Sequence, residues 1–150
     1  MKLTREQVLE IAKLAYGRDE RPDLSARDLT GLGLFRARLP QADLSESDLR
    51  QVNLTRADLN GADLSESDLT EANLTQANLR GADMSRANLF DADLNQADLQ
   101  GADLRGAHLE GANLNHADLR GADLSGARYN EYTTWSVDFD PAEAGAIGTL

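Results

Sequence analysis

The sequence predicts an all-β solenoid, in which the chain is wound into stacked coils with a square cross-section. Leucine occupies every fifth position from Leu24 to Leu124, a series of 21 positions in which Met84 is the one exception. The chain also resembles itself most strongly when it is shifted by four of these five-residue units. Its 150 residues suit a single domain, and they include 26 acidic against 15 basic side chains and no cysteine.

The five-residue period fits neither an α-helix nor a flat strand. The unit consists of alanine, aspartate or asparagine, leucine and two variable residues, as in Ala62, Asp63 and Leu64. Five residues of helix advance about 140° beyond one turn, so the leucines would form no stripe. In a strand, successive leucines would point to opposite faces. Disordered tracts are poor in such residues, which leaves a coil that turns by a fixed angle at every unit with leucine inside.

The length of one coil follows from the similarity of the chain to itself. Residues 43–62 match residues 63–82 at 14 of 20 positions, whereas shifts of one, two and three units give 7, 7 and 9 matches. Glycine recurs at positions 61, 81, 101 and 121. Four units therefore complete one coil. With neighbouring coils about 4.8 Å apart, residues 22–126 form about five coils and a rod roughly 25 Å long.

These residues carry a resemblance to a known family. Tandem units such as Ala57-Asp58-Leu59 resemble the pentapeptide-repeat family over residues 22–126. The resemblance implies a right-handed quadrilateral β-helix, and it implies no single function. The segment that begins at residue 129 also resembles the tails that follow the repeats in many cyanobacterial members.

Both ends of a solenoid expose its core and need caps. We expect an N-terminal helical cap in residues 1–21, the β-helix in residues 22–126 and a capping tail in residues 127–150. Thr4 and Gln7 are spaced as a capping box, and Leu3 and Val8 as a hydrophobic staple, so a helix is predicted over residues 4–16. Gly17 is the predicted stop. Binding of a partner is the alternative role of this helix.

The tail is expected to cover the last coil with aromatic side chains. Tyr129 and Phe139 continue the five-residue count, although Thr134 between them is not apolar. Trp135, Phe139 and Tyr132 are the predicted covering residues. An exposed aromatic docking patch is the alternative.

Positions separated by one full coil should stack in columns along the rod. One column contains aspartate at all six of its positions, and we call it the acidic column: Asp23, Asp43, Asp63, Asp83, Asp103 and Asp123. Its residues either accept hydrogen bonds from the backbone at the corners of the coils or form a binding surface. The candidate interaction face comprises Asp43, Glu46, Asp63, Glu66, Asp83, Asp103 and Asp123.

The predicted function is a non-enzymatic structural or protein-interaction module with an unidentified protein partner. A convex rod offers no cleft that excludes water, and none of the phosphate-loop, HExxH or GxSxG motifs occurs. His108 and His116 fall on different columns. We expect no catalytic, cofactor-binding or metal-binding residues and no cofactor.

The net charge of −11 argues against direct nucleic-acid binding. No apolar run is long enough to span a membrane and the N-terminus lacks a signal peptide, so a cytoplasmic location without membrane contact is expected. The sequence leaves both a monomer and a dimer open.

Two alternative functions remain open. Family members that protect or inhibit DNA gyrase are acidic rods, so the resemblance implies a DNA-mimicking modulator of gyrase as one alternative. Weak binding of divalent cations along the acidic column is the other.

Overall fold

The computed structural model describes all 150 residues of the chain. One α-helix, α1 (Arg5–Tyr16), precedes the repeats, and two short strands, β1 (Arg128–Tyr129) and β2 (Ile147–Gly148), follow them. Between α1 and β1 the backbone forms isolated parallel β-bridges, one for each five-residue unit. The chain contains no helix of the length and apolarity that a membrane span requires.

The bridges join each position to its equivalent four units later, which is the coil length that the sequence predicts. They fall into four columns, one on each side of the coil. The bridged positions of the acidic column run from Asp23 to Asp123, and those of the other three columns are 28, 48, 68, 88 and 108; 33, 53, 73, 93 and 113; and 38, 58, 78, 98 and 118.

Backbone hydrogen bonds between coils form the framework of this stack. The amide of Leu64 donates to the carbonyl of Asp83 in the next coil at 2.6 Å, and the amide of Asp63 donates to Ala42 in the preceding coil at 2.9 Å. The same two bonds recur through the repeats. Each side of an interior coil is thereby paired with both neighbours, which satisfies polar backbone groups that would otherwise be buried without a partner.

Consecutive sides of a coil are joined by tight turns. The amide of Ala77 donates to the carbonyl of Leu74 at 3.0 Å, and Gln76, the third residue of the turn, has φ +57°. A positive φ at this position alone is characteristic of a type II turn. Such a φ recurs at every fifth position from 26 to 126, and most of these positions are not occupied by glycine.

The interior consists of stacked leucine and alanine side chains. The leucines from Leu24 to Leu114 are fully buried, and Met84 takes their place at one position. Ser47 and Ser67 replace alanine, and their hydroxyls donate to the carbonyls of Leu44 and Leu64 at 2.5 and 2.7 Å. The hydrogen-bond partners that the buried serines require are therefore supplied within their own turns.

Helix α1 covers the first coil, with Val8 and Ala12 buried against it. The predicted capping box is present: the Thr4 side chain accepts from the amide of Gln7, and the Gln7 side chain accepts from the amide of Thr4 at 2.8 Å. The helix ends at Tyr16, as predicted. Gly17 is right-handed at φ −65°, however, and Asp19 supplies the left-handed residue at φ +59°.

The C-terminal tail departs from the five-residue count. Asn113 pairs with Thr134 and not with Thr133, which stands at the regular separation, so one extra residue enters the last coil. The inward position is the one after the bridged residue, and here Trp135 rather than Thr134 occupies it. This explains why polar Thr134 stands where the five-residue count requires an apolar side chain.

An aromatic cluster covers this end of the rod. The Trp135 ring lies 5.5 Å from Tyr129, edge to face, and 5.3 Å from Phe139, stacked. The expectation for Tyr132 was wrong, because its side chain is 71% exposed. Strand β2 pairs in parallel with β1 and extends the stack beyond the repeats.

The turn conformation predicts opposite effects for two substitutions. Gly81 has φ +62° and open space where a Cβ would stand, so Gly81→Ala should cost about 1 kcal/mol through backbone strain alone. Ala26 has φ +51°, and replacing its methyl group by hydrogen removes no hydrogen bond, so Ala26→Gly should stabilise the fold by up to about 1 kcal/mol. Urea unfolding of both variants measures the two changes, and a shift of the same sign in both would contradict the strain argument.

Candidate functional site

The acidic column is continuous in the structure. Each aspartate is bridged to the next, from Asp23 to Asp123, so the carboxylates lie in a single row along one side. Asp43, Asp63, Asp83 and Asp103 are half-buried, and the residues at the two ends are exposed. Two unit charges about 4.8 Å apart repel by about 0.9 kcal/mol in water, so the row has an electrostatic cost.

One carboxylate oxygen of each aspartate stabilises the adjoining turn. Oδ1 of Asp63 accepts from the amide of Ser65 at 3.0 Å and from its hydroxyl at 2.6 Å. Asp43 and Asp83 make the same pair of bonds with Ser45 and Ser85. This is the local hydrogen bonding by which Asp and Asn favour turns. The second oxygen, Oδ2, of these three aspartates accepts no hydrogen bond from the chain.

Asparagine performs the same local task in the other columns. Oδ1 of Asn53 accepts from the amide of Thr55 at 3.0 Å, and Oδ1 of Asn73 accepts from Thr75 at the same distance. A neutral amide oxygen is therefore sufficient for the turn. The negative charge of the acidic column is not required by the hydrogen bonding that the turns display.

Arginine neutralises only the C-terminal part of the acidic column. Arg105 stands where the other coils have serine, and its guanidinium pairs with Asp103 at 2.5 Å and lies 4.0 Å from Asp123. Hydrogen bonding to Arg105 lowers the pKa of Asp103. Hydrogen bonding to the hydroxyl of Ser125 likewise lowers the pKa of Asp123.

Glu46 and Glu66 lie beside the acidic column at left-handed turn positions, with φ +56° and +57°. Both side chains are exposed, and Arg86 pairs with Glu66 at 3.1 Å. The structure therefore places the five aspartates of the predicted face in one row and its two glutamates at the corner that follows this row. Only some of the seven side chains are paired with a cation. Those without an ion pair are Asp43, Glu46, Asp63 and Asp83.

The neighbouring column has a different electrostatic arrangement. Asp28, Asp48 and Asp68 are bridged in sequence, and Arg50 pairs with Asp48 at 2.6 Å and approaches Asp68 at 3.9 Å. Lys2 is bridged to Asp28 at the N-terminal end. Hydrogen bonding to Arg50 lowers the pKa of Asp48. This second row of carboxylates is thus offset by cations on its own side.

No convergent metal site accompanies these rows. The structure contains no group of three or more His, Asp or Glu side chains arranged to hold a metal ion. His108 and His116 lie on different sides, as the sequence indicates. His108 Nδ1 lies 3.7 Å from Oε2 of Glu110, a buried oxygen without a hydrogen bond, and Arg128 pairs with the other oxygen of Glu110 at 3.3 Å.

Sequence analysis missed a second charged region at the N-terminal end. Residues 1–41 contain 8 basic and 6 acidic side chains, whereas residues 42–150 contain 7 basic and 20 acidic ones. The uneven distribution of charge along the chain is the signal that could have identified this region. Four of these basic residues, Arg5, Lys13, Arg36 and Arg38, line an opening between α1 and the first coil. This opening depends on the packing of α1 against that coil, which the repeat does not specify.

Comparison with known proteins identifies the repeat. The model for pentapeptide repeats matches residues 34–70, 67–106 and 92–128, with 8 copies. The chain belongs to the pentapeptide-repeat family. No curated protein sequence matches it.

Solved structures of pentapeptide-repeat proteins are similar to the chain. Rfr23 from the cyanobacterium Cyanothece 51142 is 27% identical, with a TM-score of 0.78 over 87% of this chain and 98% of that one. The protein alr5209 from Nostoc PCC 7120 is 34% identical, with a TM-score of 0.61 over 95% of each chain. Pentapeptide-repeat proteins are known as right-handed quadrilateral β-helices.

A trypsin-treated form of QnrB1, a plasmid-mediated fluoroquinolone resistance protein, shows a more distant likeness. It is 19% identical, with a TM-score of 0.52 over 85% of this chain and 77% of that one. At this identity the likeness concerns the fold alone.

The geometry of the acidic column predicts different effects for two substitutions at one position. Asp63→Asn keeps the acceptor for Ser65 and removes a charge, so the free energy of unfolding should stay unchanged or rise. Asp63→Ala removes both hydrogen bonds and should cost about 1–2 kcal/mol. Urea unfolding distinguishes the two. A loss in Asp63→Asn as large as that in Asp63→Ala would show that the charge itself is structural.

Acid should weaken the fold partly through Asp103. Its lowered pKa means that the stabilisation is present above the pKa of the unfolded chain, about 3.9, and is lost as the pH falls through the lower folded pKa. Arg105→Ala should therefore reduce the difference in melting temperature between pH 5 and pH 2.5, whereas Arg18→Ala, which removes an unpaired arginine, should not. An equal pH dependence in both variants would contradict this assignment.

Proposed function

We propose that this chain is a right-handed quadrilateral β-helix of about five coils that acts as a non-enzymatic protein-interaction module. Its contact surface is the candidate interaction face, which consists of the acidic column from Asp43 to Asp123 with Glu46 and Glu66, and its partner is a protein with a matching row of basic side chains. The proposed setting is the cytoplasm. The single observation that carries this proposal is that Asp43, Asp63 and Asp83 retain charges that their turns do not require.

The arrangement of the charges suits such a contact. The carboxylates are attached to bridged backbone positions, so their spacing along the rod is fixed before binding, and little conformational freedom is lost on association. Complementary charge steers a partner to the surface and excludes proteins with acidic surfaces. The serine hydroxyls beside the column donate to Oδ1 of the same aspartates, which leaves Oδ2 of Asp43, Asp63 and Asp83 available to a partner.

The repeat surface supports a non-enzymatic role. Its carboxylates form regular rows, and within the acidic column Asp43, Asp63 and Asp83 make the same hydrogen bonds, so none of these three is set apart for acid–base chemistry. The largest opening lies between α1 and the first coil rather than along these rows. The contact proposed for the acidic column therefore requires only recognition of its shape and charge.

DNA mimicry directed at gyrase is a second candidate. The observation that favours it is the acidic column itself, a row of six carboxylates on bridged backbone positions along the rod. A nucleic-acid-binding surface evolved for regularly spaced phosphates would recognise such a row through the same lysine and arginine side chains. A gyrase supercoiling titration tests it: inhibition, or protection from a quinolone, supports mimicry, and a flat response rules out this partner.

Charge-neutral variants test the proposed surface. Asp63→Asn combined with Asp83→Asn removes two charges from the acidic column, whereas Asp58→Asn combined with Asp93→Asn removes two charges from the other columns. Both pairs keep the turn acceptors. A partner purified on the wild-type rod should bind the first variant about tenfold more weakly and the second with nearly unchanged affinity, as measured by calorimetry. Equal affinity for both variants would contradict the assignment of the contact to the acidic column.

A further inference from the structure

The two ends of the rod differ in how their basic residues are used. Of the 7 arginines in residues 42–150, all except Arg56 form an ion pair. None of the 8 basic residues in residues 1–41 does so. The basic side chains of the N-terminal end are therefore not held in ion pairs within the protein, although the protein as a whole is strongly acidic.

Four of these basic residues surround one opening, which we call the N-terminal cleft. It has a volume of about 650 Å³ and lies between α1 and the first coil. Its basic residues are Arg5, Lys13, Arg36 and Arg38, and Tyr16 adds a phenol. Apolar side chains complete its lining: Leu9, Ala12, Ala37 and Pro40. The cleft thus combines an apolar surface with four cations, and no acidic side chain lines it.

The walls of the cleft are fixed by contacts between α1 and the first coil. The Tyr16 hydroxyl donates to the carbonyl of Pro40 at 2.8 Å. The guanidinium of Arg5 donates to the carbonyl of Gly33 and lies 5.5 Å from the centre of the Phe35 ring. These contacts hold the opening in place without a ligand, so binding would require little reorganisation.

The other three cations are free to bind. Lys13, Arg36 and Arg38 form neither an ion pair nor a side-chain hydrogen bond, and all three are exposed. Asp58 follows Arg38 in its column, but it accepts from Asn60 and Asn78 instead of pairing with Arg38. The positive charges of Lys13, Arg36 and Arg38 also repel one another across the cleft, and a bound anion would relieve this repulsion.

We propose that the N-terminal cleft binds a small organic anion with an apolar body, such as an aromatic or aliphatic carboxylate, sulfonate or phosphate. The apolar lining accommodates the body, and the guanidiniums of Arg36 and Arg38 bind the anionic group with charge-assisted hydrogen bonds. Openings of this volume are typical of small-molecule sites. Long polyanions that extend beyond the cleft are disfavoured, because the rest of the rod, residues 42–150, carries 20 acidic against 7 basic side chains.

The probe for this site is 8-anilinonaphthalene-1-sulfonate, an aromatic anion whose fluorescence rises in an apolar environment. The folded full-length chain should bind it saturably at one site, and the binding should weaken as ionic strength rises. 1-Naphthoate should displace the probe, whereas 1-naphthamide, which has a similar shape and no charge, should not do so at the same concentration. The absence of saturable binding, or equal displacement by both compounds, would overturn the proposal.

The variants are chosen so that the fold tolerates them. Arg36→Gln introduces the residue found at positions 76 and 96 of the same column, and Arg38→Asn introduces the residue found at position 78. The double variant should bind the probe at least about tenfold more weakly and keep its melting temperature. Arg86→Gln, the same change at a left-handed position outside the cleft, should keep wild-type affinity within about twofold. Wild-type affinity in the double variant would overturn the proposal.

Discussion

The structure depends on one constraint, the pairing of every coil with the coils before and after it through the backbone. Leu64 and Asp63 show the rule: one amide donates forward to Asp83 and the other donates backward to Ala42. Because the bridged partner lies one coil away, each inward position must be filled by a side chain that stacks on its equivalents in the neighbouring coils. A buried leucine contributes about 1.5–3 kcal/mol of hydrophobic stabilisation, and the pairing of the coils places one such side chain inside the rod in each unit.

The same constraint imposes costs that the sequence offsets locally. A side must turn by a right angle after five residues, so a left-handed residue is needed at each corner, and most of these are not glycine. Aspartate and asparagine compensate by accepting a hydrogen bond from the amide of the residue after leucine, as Asp63 does for Ser65.

Pairing between coils also places equivalent residues above one another, so an aspartate that recurs in every coil forms a row of negative charges. In the row that contains Asp48 an arginine offsets the charge, whereas Asp43, Asp63 and Asp83 are left without a cation. The surface charge that a partner would meet is thus a direct consequence of the coil length.

Repetition determines which features could be predicted from the sequence. The coil length, the buried leucines, the stacking of the acidic column and the backbone hydrogen bonds that its aspartates accept follow from a pattern that recurs many times, and the Thr4–Gln7 capping box follows from a local rule. The extra residue before Trp135 could not be predicted, because it depends on how a single non-repeating segment packs on the last coil. The ion pairs of Arg105 and Arg50 depend on side-chain conformation rather than on spacing, and the N-terminal cleft depends on the angle at which α1 meets the first coil.

Amide hydrogen exchange tests the central claim, that pairing between coils stabilises the fold, most directly. In each unit of residues 43–109 the amides of leucine, the left-handed residue, alanine and aspartate, or of the residues in their places, are bonded to backbone carbonyls, whereas the residue after leucine, such as Ser65, is bonded only to a side chain. Exchange measured residue by residue should therefore show a five-residue period throughout residues 43–109, with four protected amides and one that exchanges faster. Uniform exchange without this period, or rapid exchange of the leucine amides in the central coils, would contradict the account.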